Sequence, residues 1–86
     1  MAIDGKYGRV TLEHGDIGED EPVVVFRARD LTLPDLLTEY HKLCMQFGSP
    51  MRHLRLIAQT HKDIVEWQDA HDVRLPTSES SRKWME

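Results

Sequence analysis

The residues of this chain best suited to chemistry form a short basic cluster. Arg52, His53 and Arg55 come shortly after the turn Gly48-Ser49-Pro50. Glycine can close one helix in the left-handed conformation, and the Ser-Pro pair can supply a cap and a first-turn residue for the next helix. The cluster is therefore expected in a first helical turn, where free backbone N–H groups and the macrodipole are already positive. This arrangement predicts an anion site, and the planar fork of arginine suits phosphate oxygens.

Four further residues complete the predicted ligand site. Arg27 and Arg29 lie on one face of a predicted strand, and a symmetric oligomer could bring them to the cluster. Tyr40 or Trp67 offers an aromatic ring for stacking on a base. The competing interpretation pairs the arginines with local carboxylates. Those carboxylates are Glu13, Asp30 and Asp35.

Neither metal binding nor catalysis is predicted. Histidine ligands on a helix must recur at three or four residues to share a face, and the histidines of this chain do not. They are His14, His41, His53, His61 and His71. Cys44 falls on an apolar helix stripe, where a cysteine behaves as a small hydrophobe. Because the sequence also lacks a nucleophile elbow and a phosphate loop, the chain is expected to be a non-enzyme without a cofactor.

The composition is that of an ordinary cytosolic globular protein. A chain of 86 residues has a thin core, which favours a homo-oligomer. The net charge of −4 argues against a protein that coats nucleic acid. The single cysteine excludes an intrachain disulfide. No apolar run is long enough for a signal peptide or a membrane span, so a cytoplasmic location without a membrane partner is expected.

The N-terminal third predicts an antiparallel β-hairpin. Residues 1–8 are polar and contain glycine, so they are expected to form a flexible lead-in. Residues 9–14 alternate apolar and polar side chains, and residues 23–29 are rich in β-branched side chains, which favours two strands. An isolated hairpin is marginal in water, so this one must pack on helices or pair with another copy.

The rest of the chain predicts two helices. A capping-box spacing from Thr32 to Asp35 starts the first helix, and apolar residues at steps of three and four continue it to Phe47. The second helix runs from residue 50 to about residue 73. Its core-facing seam is noisier, because Leu54, Ile57 and Ile64 alternate there with His61, Gln68 and His71.

The predicted fold class is α+β. Residues 9–75 are expected to form a single ββαα domain, in which a β-hairpin lies against an antiparallel two-helix hairpin and homo-oligomerisation completes the core. The polar tail, residues 76–86, is expected to be disordered unless Trp84 docks on a surface.

Two segments carry a resemblance to known proteins. EPVVVFRARD at residues 21–30, followed by the first helix and by IVEWQ at residues 64–68, resembles a loose group of small accessory proteins of tailed bacteriophages. The resemblance covers residues 9–70, has no catalytic motif and transfers no site residue. That group includes transcription regulators, host-protein inhibitors and anti-defence proteins that sequester nucleotide immune signals in oligomer pockets.

Three functions follow as hypotheses. The first is a non-catalytic phage protein that binds and sequesters a phosphate-bearing small molecule, such as a nucleotide immune signal. The alternative is a protein-interaction module that inhibits or recruits a host or phage protein through the second helix and the tail. The third is a helix-turn-helix-like DNA-binding regulator, and acidic residues on the second helix argue against it because they would repel phosphates. Those residues are Asp63, Glu66, Asp69 and Asp72.

Overall fold

The computed structural model of the protein describes residues 2–75. They divide into two compact units, a strand unit of residues 2–26 and a helix unit of residues 27–75. The elements are β1 (Ala2–Asp4), β2 (Gly8–Val10), β3 (Pro22–Val23), α1 (Leu33–Gln46) and α2 (Met51–Ala70). The predicted α+β class is confirmed. The predicted domain limits and homo-oligomer stay predictions, and the predicted contact of Trp84 lies outside the described residues.

The sheet is built around β1 and not around the predicted hairpin. Its strand order is β2-β1-β3, with β1 antiparallel to β2 and parallel to β3. The predicted direct pairing of residues 9–14 with residues 23–29 is therefore wrong. Residues 2–4, which the sequence predicts as a loose lead-in, form the central strand.

A local turn explains why β1 pairs with β2. Oδ1 of Asp4 accepts the backbone N–H groups of Lys6 at 2.8 Å and Tyr7 at 2.6 Å. Gly8 follows with a φ of 88°, which glycine reaches without a steric penalty. Such an aspartate-centred turn joins neighbouring strands across a short connection. The acidic loop between the two predicted strands, residues 15–22, is longer, and its own turn joins Gly18 to Glu21 and not one strand to the other.

Asp4 also reaches the end of the third strand. Its Oδ2 accepts the backbone N–H of Val25 at 2.7 Å, and the residue is 4% exposed. Burial by itself raises the pKa of the Asp4 carboxyl. The backbone N–H groups of Tyr7, Val25 and Lys6 outweigh burial, so the net pKa lies below its ordinary value. The strand unit is therefore organised around an ionised carboxylate.

The helix unit turns at Gly48, as predicted. The Ser49 N–H donates to the Cys44 carbonyl at 2.9 Å, and the Gly48 N–H donates to the Met45 carbonyl at 3.2 Å. These are the paired bonds of a Schellman motif, and Gly48 takes the required left-handed conformation with a φ of 80°. The motif ends α1 and places the start of α2 immediately after it.

The two helix starts differ from the predicted caps. The Thr32 side chain does not cap α1. Instead, Oδ1 of Asp30 accepts both the Thr32 N–H at 2.8 Å and the Thr32 hydroxyl at 2.6 Å. The cap residue of α2 is Pro50 and not Ser49, and no side chain caps that end. Because Ser49 is part of the Schellman motif, the cap residue of α2 is the next residue, Pro50, and the helix begins at Met51.

The helix unit has a small apolar core. Among the described residues, the buried apolar side chains are Leu33, Cys44 and Ile57, all in this unit. The predicted seam is confirmed for the α2 residues Leu54, His61, Ile64 and Gln68, which are half-buried. His71, which the sequence also assigns to the seam, is exposed. So few buried apolar groups leave thin stability for a helical pair.

Candidate functional site

The basic cluster begins α2 without a local counter-charge. Arg52 and Arg55 are exposed, and the first turn of α2 contains no acidic residue. Within residues 2–75, neither arginine side chain forms an ion pair or hydrogen bond. The backbone N–H groups of Met51 and Arg52 likewise have no backbone acceptor in the described part of the chain. Cations at a helix N-terminus are unfavourable by about 0.3–1 kcal/mol each, so an anion here would relieve a real repulsion.

An open depression of about 570 Å³ lies against this end of α2. Its lining consists of Pro50, Arg52, His53, Arg55, Leu56 and Gln59. The lining combines cationic and amide donors with one leucine side chain, and contains no carboxylate. Such a surface can bind an oxyanion, although its openness leaves much of a ligand in water.

Tyr40 joins the cluster through His53. The Tyr40 hydroxyl and Nε2 of His53 lie 3.3 Å apart, and the two rings meet edge to face at 6.0 Å. The thiol of Cys44, one helical turn after Tyr40, raises the pKa of the tyrosine above its ordinary value. The hydroxyl is therefore a neutral phenol at neutral pH, and it links α1 to the start of α2. The structure thus brings Tyr40, Arg52, His53 and Arg55 together.

A glutamine holds the segment that contains Arg27 and Arg29. Nε2 of Gln68 donates to the carbonyl oxygens of Ala28 at 2.9 Å and Asp30 at 2.8 Å. The Arg74 N–H donates to the Arg29 carbonyl at 2.8 Å. The segment is irregular here and not the predicted strand, because β3 ends at Val23.

The predicted ligand residues consequently fall into two groups. Arg27 and Arg29 flank the backbone that Gln68 holds, and Trp67 is the neighbour of Gln68. The helix between Arg52 and Gln68 is about 24 Å long at a rise of about 1.5 Å per residue. One small ligand therefore does not contact both groups within a single chain.

The Trp67 ring is in contact with His71, the residue that follows α2. The His71 ring stacks on it with centroids 4.0 Å apart and planes inclined by 8°. Nδ1–H of His71 donates to the Trp67 carbonyl at 2.8 Å, which satisfies one of the last carbonyls of α2. One face of the indole is thus covered, and the residue remains 38% exposed.

A further feature of the helix unit is an apolar row on α1 that faces solvent. We name Leu36, Tyr40, Leu43 and Phe47 the α1 outer stripe, since their spacing places them on one side of α1. Their exposures are 39%, 47%, 48% and 85%, respectively. The sequence predicts all four as part of one core-facing stripe, and the structure corrects this: Leu33 and Cys44 of α1 are buried, whereas these four side chains stay exposed.

The groove between the helices offers a second, smaller cavity of about 280 Å³. His41 of α1 and His61 of α2 both line it, together with Lys42. Among the described residues, no three histidine, cysteine or acidic side chains are grouped to hold a metal ion.

No helix among the described residues combines the length and apolar composition needed to cross a membrane. No protein-family model, no curated protein and no solved structure matches this chain.

Proposed function

We propose that this chain is a non-catalytic protein-interaction module that docks through the α1 outer stripe. The observation that carries the proposal is the contrast between the stripe and the core. Among the described residues, only three apolar side chains are buried. In contrast, Phe47 of the stripe is 85% exposed. Contiguous exposed apolar surface of this kind marks interaction sites in soluble proteins.

The spacing of the stripe indicates the class of partner. Its residues lie at i, i+4, i+7 and i+11, which is the pattern of a helix that inserts one face into an apolar groove. Fully burying an exposed large apolar side chain contributes about 1.5–3 kcal/mol, and Leu36, Tyr40 and Leu43, which are already partly buried, contribute less. Four such residues can offset a substantial part of the cost of association, which is about 4–15 kcal/mol. The partner is thus expected to be a protein with a complementary apolar groove.

Polar residues border the stripe as they border known interfaces. Lys42 and Glu39 form an exposed ion pair at 3.4 Å on the same helix. Exposed pairs of this kind add little stability, so their contribution is to solubility and to the polar rim around an apolar centre.

Site-specific photo-cross-linking in cells tests the proposal. A benzoylphenylalanine replaces Phe47 in one variant and Gln46 in the matched control, because these adjacent positions point about 100° apart around α1. The expected result is a discrete protein adduct from position 47 that is weak or absent from position 46. Equal labelling at both positions, or no discrete adduct at 47, would refute docking through the stripe.

The mass of the adduct identifies the partner class. An adduct of the chain with a different protein supports the interaction module. An adduct of twice the 10.0 kDa chain mass assigns the stripe to self-association instead.

A second candidate function is binding of a phosphate-bearing small molecule at the basic cluster. It is favoured by the unpaired Arg52 and Arg55 at a helix start without acidic residues. The nucleotide immune signal suggested by the phage resemblance is one member of this ligand class.

Thermal shift with pyrophosphate, a nucleoside triphosphate and a cyclic dinucleotide tests this candidate. A true ligand should raise Tm by several degrees at saturating concentration. Arg52→Ala/Arg55→Ala should remove the shift. Arg27→Ala/Arg29→Ala is the matched control, because it deletes the same charge at the far end of α2 and should keep the shift. Equal responses of the two variants would exclude this site.

A further inference from the structure

The solvent-facing side of α2 carries two pairs of residues with the same separation. Leu56 and Trp67 are exposed apolar residues, at 63% and 38%. Arg55 and Glu66 are exposed and of opposite charge. The members of each pair lie eleven positions apart, which is close to three full turns, so they point in nearly the same direction.

Two copies of this helix surface are complementary when the helices lie antiparallel. If a second α2 lies antiparallel, a register that puts Leu56 against Trp67 of the copy puts Arg55 opposite Gln68 of the copy, which is two residues, or about 3 Å along the axis, from Glu66 of the copy. The two-fold axis generates each contact twice, as an isologous interface requires. Gln59 and Asp63 lie near that axis, and their side chains already share a hydrogen bond of 2.9 Å within the helix.

We propose that α2 binds a second copy of this chain as an antiparallel helix pair. Leu56 then packs on the open face of the Trp67 ring, since His71 covers the other face. Arg55 pairs with Glu66 of the copy on the other side of the helix–helix contact from Leu56 and Trp67. Neither side chain has an ion pair within residues 2–75. Charge complementarity favours a second copy as the partner. In an antiparallel pair, the basic start of each helix lies against the acidic end of the other.

This inference concerns a different surface from the α1 outer stripe and does not depend on it. Antiparallel pairing of α2 leaves α1 free, so a dimer could still dock through the stripe. The two proposals therefore fail independently: one is tested by adducts at position 47, the other by the oligomeric state of the purified chain.

Charge reversal tests the pairing in both directions. In sedimentation equilibrium at low salt, the wild-type chain should approach twice its 10.0 kDa mass as concentration rises. Arg55→Glu alone and Glu66→Arg alone each place like charges opposite each other twice, and each should raise the dimer Kd by about tenfold or more. Glu39→Arg on α1 is the matched control and should leave the Kd unchanged.

Two rescue experiments distinguish the loss of the proposed ion pairs from a general loss of folding. The double variant Arg55→Glu/Glu66→Arg should dimerise like the wild type. An equimolar mixture of the two single variants should form heterodimers. A wild-type chain that stays monomeric at every concentration, single variants with an unchanged Kd, or a double variant without recovery would each overturn the proposal.

Discussion

Replacing Asp4 with alanine should open the strand unit selectively. The carboxylate is 4% exposed and accepts backbone N–H groups at 2.6, 2.7 and 2.8 Å. A hydrogen bond to a charged group contributes about 1.5–3 kcal/mol. The donors belong to Lys6, Tyr7 and Val25, none of which is a buried residue, so water can replace part of that contribution. We therefore expect a loss of about 2–4 kcal/mol, which is a roughly 30- to 1000-fold larger opening equilibrium.

Hydrogen exchange resolves this change by location. The amides of Lys6, Tyr7 and Val25 should exchange faster in Asp4→Ala by that factor, or lose protection fully if the unit opens. Amides in the middle of α2 serve as the internal reference. Asp16→Ala is the matched control, because it removes an exposed carboxylate from the same unit. Unchanged protection in Asp4→Ala, or an equal effect of Asp16→Ala, would refute the organising role of Asp4.

The same carboxylate gives the strand unit a defined acid sensitivity. The folded-state pKa of Asp4 lies below its ordinary value of 3.8. Its contribution to stability is therefore fully present above that value and is lost as the pH falls through the folded-state pKa. Exchange protection measured against pH should show this loss in the wild type and not in Asp4→Asn. An identical acid profile in both chains would contradict the assignment.

Three further predictions concern the helix unit. Gly48→Ala should lower the free energy of unfolding by about 1–2 kcal/mol, because a φ of 80° is strained for a residue with a side chain. The added Cβ itself meets no atom within 4 Å. The melting temperature of Gly48→Ala should therefore be lower than that of Gly48→Asn. Gln68→Glu should lower Tm more than Gln68→Ala at neutral pH, since a carboxylate would face two carbonyl oxygens, and the difference should shrink in acid. Phe47→Ser should leave Tm within about a degree, because that side chain is exposed, yet it should abolish docking at the stripe; a large loss of Tm would show that Phe47 belongs to the core.

The helices were predictable because their signals are local. Apolar spacing, a glycine and a proline define α1, the Schellman turn and α2 to within a few residues, and each depends on chain neighbours only. The clustering of Arg52, His53 and Arg55 follows from the same local geometry. Tyr40 lies beside His53, because the tight turn packs α1 directly beside the start of α2.

The sheet and the rest of the ligand site were not predictable in this way. The strand pairing depends on Asp4, whose carboxylate acts on both a local turn and Val25, and no periodicity reveals that bond. Gln68 holds the backbone beside Arg29 at the far end of α2 from Arg52, which separates residues that a shared charge suggested should meet. Both are contacts between residues distant in sequence.

The sequence alone determined that α1 carries a wide apolar surface, because side-chain spacing on a helix is set by the 3.6-residue repeat. Only the tertiary structure decided which part of that surface is buried. A single neighbouring helix covers a limited arc, so Leu33 and Cys44 are buried while Leu43 and Phe47 stay in solvent. The uncovered arc, invisible in the pattern itself, is the surface on which the proposed function depends.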